Sequence, residues 1–399
     1  MAEDPLPADR QPVIIAARRT PVCRAHGALK TLQAEQLLAP VLRRLLADTG
    51  VAADQVQDVV IGNAVGGGGN VARLAALEAG LPVSVPGLTV DRQCGSGLDA
   101  IVLASRLVAA GGGFGSGPGG VYLAGGVESI STAPLRARPG AGGEPQFYRR
   151  ARFAPAGYGD PDMGVAAENV AVRFGISRQR QDEFALRSHQ RALDAAAAGA
   201  FDGEVVALPG PAGPVRSDDG PRRSLTPAVL ARFPAAFVPG GSVTAGNSCF
   251  DADGAAAVVV TSLARARQLG ARDGLLVLGT NTAGVEPALL GMGAAAAAAR
   301  LLAGASVAAR DLGLIEFNEA FASQTLACLD QLGIEPRRAN LDGGALALGH
   351  AYGASGAVLV TRLLAQARRE PVDGTLALAM ISIAGGMGTA ALFEYRTLL

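Results

Sequence analysis

No tryptophan occurs in this sequence, lysine occurs once (Lys30), and only 4% of residues are aromatic. With 54 glycines and long alanine runs, the near-absence of lysine among the basic residues suggests a GC-rich genome, not a chemical need. Neither sign of charge dominates. The 35 Lys and Arg balance 35 Asp and Glu, so no net field draws the chain to a polyanion or an anionic membrane. The four cysteines (Cys23, Cys94, Cys249, Cys328) show neither CxxC spacing nor a pairing pattern, which argues against a disulfide framework or a zinc site. The opening MAEDPLPADRQP lacks the apolar core of a secretory signal, and Gly or charge breaks each apolar run before it reaches bilayer length. The expectation is a cytoplasmic protein that binds neither nucleic acid nor membrane and carries no metal.

At 399 residues, 49% of them hydrophobic and 18% charged, the chain can bury a large core and exceeds one average domain. Its first part alternates short apolar strands with amphipathic helices. Strands are expected at Val13–Ala17, Asp58–Gly62, Leu88–Arg92 and Val121–Ala124, and helices at Ala34–Thr49, Val71–Ala79 and Gly97–Ala110. Gly111–Gly120 reads as a flexible link. Such alternation implies parallel βαβ units in a layered α/β fold. From about Ser131 to Gly241, proline, arginine and glycine rise and strands thin out around a helix pair near Val165–Phe174 and Arg178–Ala198. That is the pattern of an inserted, mainly helical loop domain. Strand character returns at Ala255–Thr261 and Leu275–Thr280. A second α/β unit, with glycine-rich turns at Gly343–Gly356 and Gly385–Gly388, runs to the end. Two units of one style suggest a duplication.

Three segments carry chemistry. In Val90–Gly97 a strand ends in a tight turn of small residues and a helix begins with Cys94 at its amino end. Free N–H groups and the helix dipole there favour a thiolate, lowering the thiol below its usual value of about 8.5. Taken alone, the same stretch also fits a plain buried cysteine at a strand–helix corner. In Gly343–Gly356, His350 is flanked by glycines suited to backbone turns. A neutral imidazole there can take the Cys94 proton, or else cap a helix or sit hydrogen-bonded in the core. His26, in an N-terminal turn, and His189, in the charged helix of the insert, fit structural roles better. In Glu316–Ala322, two acids and Asn318 close an apolar strand, a costly arrangement unless they serve hydrogen bonds. Asn318 suits a helix N-cap, or a group that holds a water or carbonyl at a reacting centre. Neither a G-x-G-x-x-G nor a P-loop stands in a strand–helix setting, which argues against a plain nucleotide-binding protein.

These segments occur in order with Ala17–Pro21, Ala124–Ser129, Met163–Gly164, Ala167–Ala171, Ile176–Arg178, Thr244–Asn247, Asp253–Ala256 and Gly385–Gly388. The set resembles, nearly end to end, the thiolases: the family of acetyl-CoA acetyltransferases and 3-ketoacyl-CoA thiolases. The resemblance implies a duplicated five-layer αβαβα fold. Residues 1–125 would form the first half, 126–243 the coenzyme A-binding loop domain, 244–272 the end of the first half and 273–399 the second half. It further implies an acyltransferase that uses acyl-CoA as substrate, holds no permanent cofactor and forms a homodimer or homotetramer. Cys94 would be the acylated nucleophile and His350 its base. His350 and an Asn318-held water would form one oxyanion hole, and the N–H groups of Cys94 and Ala384 the second. A lost donor in such a hole costs about 3–4 kcal/mol of barrier. Met163, Arg222, Ala245 and Asn318–Phe321 fall where the arms of coenzyme A would lie.

The chain departs from that family around the same site. A second cysteine expected two residues before a three-glycine run is Ser382 here, and Ala384 stands at the first glycine. That cysteine moves the α-proton of the incoming acetyl thioester. A hydroxyl is a far weaker acid, and a positioned proton carrier is worth about 10²–10⁴ in rate. Loading of Cys94 should survive this change, whereas ordinary Claisen condensation should suffer. Ala351 and Tyr352 replace a proline and a small aliphatic residue. Tyr352 would narrow the acyl pocket, offer its phenol to substrate, or pack half-buried in a dimer contact. Cys249 replaces a serine that touches pantetheine, on the other side of the cofactor channel from the missing acid/base. Cys328 falls on an apolar helical face. The acyl acceptor stays open: carbon through Ser382, a carbanion made by decarboxylation, or an amine or alcohol. The rival reading is a catalytically silent protein of this fold that binds a CoA ester or organises a partner enzyme. Retention of both Cys94 and His350 speaks against it.

Overall fold

The computed structural model describes residues 7–111 and 120–398. Most of the expected flexible link, at 112–119, and the first six residues of the opening segment lie outside them. The first half runs β1 (Pro12–Arg19), β2 (Cys23–Arg24), α1 (Ala34–Thr49), β3 (Val56–Gly62), α2 (Val71–Glu78), β4 (Gly87–Val90), α3 (Ser96–Ala109) and β5 (Val121–Glu128). The insert carries a hairpin of β6 (Arg136–Pro139) and β7 (Pro145–Tyr148), then α4 (Met163–Phe174), α5 (Arg178–Ala197) and α6 (Pro227–Ala231), with long irregular stretches between them. After it come β8 (Ala252–Ser262), α7 (Leu263–Gln268) and β9 (Asp273–Gly284). The chain closes with α8 (Gly293–Gly304), β10 (Leu314–Phe317), α9 (Ala322–Leu332), α10 (Ala345–Leu348), α11 (Tyr352–Arg369), β11 (Leu376–Ile383) and β12 (Met387–Thr397).

The main sheet is ordered β10-β11-β12-β9-β1-β8-β5-β3-β4, with β2 also paired to β8. Its two wings obey one rule. β1–β8 and β9–β12 are antiparallel, as are β8–β5 and β12–β11, while β5–β3 and β11–β10 are parallel. The wings meet at only two residue pairs, Val13↔Leu276 and Ile14↔Leu275. The duplication faint in sequence is therefore plain in topology, with β4 as the first wing's extra strand.

Side chains alternate along each strand, and the alternation builds the layers. Val13, Val59, Leu123 and Val259 point to a core with α1 and α2, whereas Ile14, Val60, Ala124 and Val258 point to one shared with α3 and α11. On the other wing Ala379 and Phe393 enter that same central core, while Met380 and Leu392 face α8 and α9. The outcome is five layers, helix–sheet–helix–sheet–helix, with α3 and α11 in the middle. Glycine permits their close approach. A Cβ on Gly126 would lie 1.8 Å from the Gly353 carbonyl oxygen, and one on Gly97 would lie 2.5 Å from it.

Buried ions lock the insert onto both halves. Arg19 of β1, fully buried, donates to Glu204 at 2.6 Å and to Asp218 at 2.6 Å, and Arg362 of α11 pairs with Glu204 and Asp342. Breaking one partner of such a set strands a buried charge, at a cost of about 3–5 kcal/mol. Pro287–Gly304 is the one segment among the described residues that reaches a bilayer span by length and apolarity. It is not one continuous α-helix: Leu289 is non-helical, half of the segment is buried, and α8 packs against β9, β11 and β12.

Candidate active site

Cys94 occupies the turn between β4 and α3. Gln93 before it has φ +47°, a left-handed conformation that a non-glycine residue adopts only when neighbours hold it. The holders are local: Asp91 Oδ1 accepts the Gln93 N–H at 2.7 Å, Ser96 Oγ accepts the Arg92 N–H at 2.8 Å and donates to the Gln93 carbonyl at 2.6 Å. α3 then starts at Ser96, one helical cap beyond Cys94. The N–H groups of Ala384 and of Cys94 itself converge on the sulfur.

Burial nevertheless pushes the Cys94 thiol up to about 12, and the two N–H donors offset only part of that rise. The low-pKa thiolate expected at a helix tip is thus overturned: removal from water outweighs the dipole and amide contributions. His350 is shifted the opposite way, down to about 4, because burial disfavours the imidazolium. At neutral pH the two groups rest as thiol and neutral imidazole.

The ring of His350 is oriented by Ser355, whose Oγ lies 2.7 Å from Nδ1. With Nδ1–H donating, Nε2 is the acceptor, and it has no partner among the described residues. The main chain of His350 is sewn to β8. Its N–H donates to Phe250 O at 2.9 Å, its carbonyl accepts from Ala252 N–H at 3.2 Å, and it bridges to Asp251. Glu128, at the end of β5, accepts from the N–H groups of Ala64, Val65 and Gly353 and so clamps the 63–65 loop to the start of α11.

Cys94, His350, Ser382, Ala384, Met163, Cys249, Phe321 and Tyr352 all line one cleft of about 490 Å³, within the usual range for a small-molecule site. Three expected site residues do not line it. Asn318 is buried beside a separate small cavity with Glu316, Ser355 and Arg362, and its Nδ2 has no partner among the described residues. It is not the N-cap of α9, a place Phe321 takes. Arg222 and Ala245 are exposed, and the Arg222 N–H caps His189 Nδ1 at 3.2 Å. His189 is buried in α5, and His26 lies exposed in a turn with φ +63°.

Ser382 ends up fully committed. Its O–H donates to the Gly291 carbonyl at 2.6 Å, and its oxygen accepts from Ala294 N–H at 3.1 Å and Gln324 Nε2 at 3.5 Å. Ala294 belongs to the first turn of α8, whose N–H groups have no intrahelical partner, so Ser382 serves as acceptor for that helix end. Cys249 is held by its N–H to the Ala320 carbonyl at 3.0 Å, and its thiol is raised by burial and then by Asp251 and Cys94. Cys328 is fully buried on α9, its Sγ 3.2 Å from the same Gly291 carbonyl.

Several cleft residues escape sequence reasoning. Gln324 follows the Glu316–Ala322 segment by two positions, a signal available but unused. Asp251 and the rim arginines Arg136, Arg149 and Arg150 reach the cleft only through tertiary placement, which no local pattern announces.

The comparisons agree with this architecture. Residues 12–264 match the thiolase N-terminal domain, and residues 271–395 the thiolase C-terminal domain. The "Putative acetyl-CoA C-acetyltransferase YhfS" of Bacillus subtilis is 44% identical over 384 residues, covering 96% of this chain and 98% of that protein. The "Putative acetyl-CoA C-acetyltransferase VraB" of Staphylococcus epidermidis is 43% identical over 389 residues, covering 96% and 98%. The crystal structure of the Bacillus anthracis acetyl-CoA acetyltransferase superposes with a TM-score of 0.88 at 33% identity, over 97% of this chain and 99% of that one. With both domains matched in order, and relatives aligned over nearly their whole length, the chain belongs to the thiolase family and is an acyltransferase of the acetyl-CoA acetyltransferase kind.

Proposed function

We propose that the chain moves an acyl group from a coenzyme A thioester through a thioester on Cys94. As Sγ attacks the carbonyl carbon, His350 Nε2 takes the thiol proton. The bond from carbon to the CoA sulfur breaks, and the imidazolium returns its proton to the departing CoA thiolate. The N–H groups of Cys94 and Ala384 supply donors for the acyl oxygen, and His350 with a water held by Asn318 serves the other oxyanion. One observation carries the reading: Cys94 and His350 line the same cleft, and the imidazole Nε2 has no partner among the described residues. Met163, Cys249 and Phe321 suit the pantetheine arm, and Arg136, Arg149 and Arg150 suit phosphate oxygens. Arg222 and Ala245, which do not line this cleft, are assigned to the arms of coenzyme A through family likeness alone. The names of the relatives favour acetyl as the acyl group. A cytoplasmic homodimer or homotetramer is part of the same proposal, through family likeness.

The acceptor half-reaction differs from that of a two-cysteine thiolase. Ser382 already gives its proton to Gly291, so removal of an α-proton by this residue is disfavoured beyond the weakness of a hydroxyl as acid or base. Acceptors that need no base there fit better: a carbanion formed by decarboxylation, or an amine or alcohol. Exchange of labelled CoA into acetyl-CoA tests the first half-reaction alone. The parent exchanges label and Cys94→Ala does not. Equal exchange in both would remove the acyl-Cys94 intermediate.

A further inference from the structure

Asp251 and Tyr352 form a polar pair inside the cleft that the acyl-transfer chemistry leaves unused. Asp251 stands immediately before β8 in register with His350, so the main chain fixes it beside the imidazole. Tyr352 follows His350 by two residues. Its ring meets the imidazole edge to face at 5.1 Å, and its hydroxyl donates to Asp251 Oδ1 at 2.6 Å. Its φ of +20° is uncommon for a bulky side chain, and these two contacts hold it there. Both residues line the cleft with Cys94. A carboxylate is an acceptor with about four lone-pair sites, and Tyr352 is the only donor to the Asp251 side chain among the described residues. Asp251 is exposed, and its remaining accepting capacity meets solvent where the residue lines the cleft. Its charge reaches the floor, where it adds to the rise of the Cys94 and Cys249 thiols and of the Tyr352 phenol. A purely alkyl chain placed there would strip water from the carboxylate and give nothing in return.

We propose that, besides acetyl, Cys94 accepts longer acyl groups that carry a hydrogen-bond donor, a hydroxyl or an ammonium, which Asp251, oriented by Tyr352, receives. This rests on the acyl-transfer reading and names the substrate class within it. A site built to pair a polar group discriminates strongly against the analogue that lacks it. The competing donor is the pantetheine amide, which every CoA ester shares.

Calorimetric titration of the Cys94→Ala protein with 3-hydroxybutyryl-CoA, β-alanyl-CoA and butyryl-CoA separates these cases, repeated with Asp251→Leu added. The subsite predicts binding of the first two at least about 10-fold tighter than butyryl-CoA, and loss of that preference in the double variant, with melting curves showing both proteins folded. Equal affinities for all three esters overturn the subsite, as does uniform weakening by Asp251→Leu, which assigns the carboxylate to pantetheine. Cys94 acylation of the parent is followed in parallel by peptide mass. A binding preference without any acylation sinks the transfer reading and leaves the subsite standing. Acylation without a preference does the reverse.

Discussion

Cys94 and Ser382 line the same cleft, yet their surroundings are opposite. The sulfur of Cys94 meets two backbone N–H groups, and the residue shares the cleft with His350, whose Nε2 has no partner among the described residues. The oxygen of Ser382 has given its one proton to Gly291 and accepts from Ala294 and Gln324. Each residue is well placed; only one is available. A group's chemistry in a dry site is set by which of its protons and lone pairs are still unspent, as much as by its type. On that view the Cys94 wall carries acyl loading, while the Ser382 wall supports the start of α8.

Three substitutions or conditions would break or sharpen this contrast. The largest effect is expected at the base. His350→Asn should slow Cys94 loading by about 10²–10⁴, read as the initial rate of acyl-peptide formation. A loss under 3-fold would mean that Sγ finds another base. Next, Ser382→Cys should raise acetoacetyl-CoA thiolysis and condensation by roughly 10² or more while loading of Cys94 changes little. No gain would show that the proton carrier missing at this wall is supplied elsewhere in the cleft.

The smallest expected effect is in pH dependence. An ordinary thiol gains reactivity tenfold per pH unit up to about 8.5. Here the thiol is raised to about 12 and the imidazole depressed to about 4, so proton transfer must accompany attack. His350 is a competent base above its pKa and is lost as pH falls through about 4. The loading rate should therefore stay flat from about pH 5.5 to 8.5, varying by less than about 3-fold. A steep rise toward pH 8.5 would indicate a free thiolate instead.

Much of this was legible in the sequence, and the parts that were not have physical causes. Helix α1 was read to the residue because apolar spacing and Gly50 at its end mark it. Strands β1 and β5 were placed but shortened, since they continue through Arg19 and Glu128, polar ends that strand patterns discount, whereas β4 ends at Val90 and not at Arg92. Cys94 and His350 stood out because glycine-rich turns surround them. The protonation of Cys94 was misread, because burial is a property of the whole fold and the helix dipole is a property of one segment, whereas the neutral imidazole expected at His350 agrees with its depressed pKa. The commitment of Ser382 was invisible for the same reason: Gly291, Ala294 and Gln324 lie 91, 88 and 58 residues away. Asp251 carried no local signal either, and only its register with His350 brings it to the cleft.

The most direct measurement is the mass of the peptides bearing Cys94 and Ser382 after brief incubation with acetyl-CoA and acid quench. One acetyl group on Cys94, none on Ser382, and loss of the adduct when free CoA is added back are the outcomes expected here. A folded, CoA-binding protein whose Cys94 peptide stays unmodified, or an adduct on Ser382, would contradict the account.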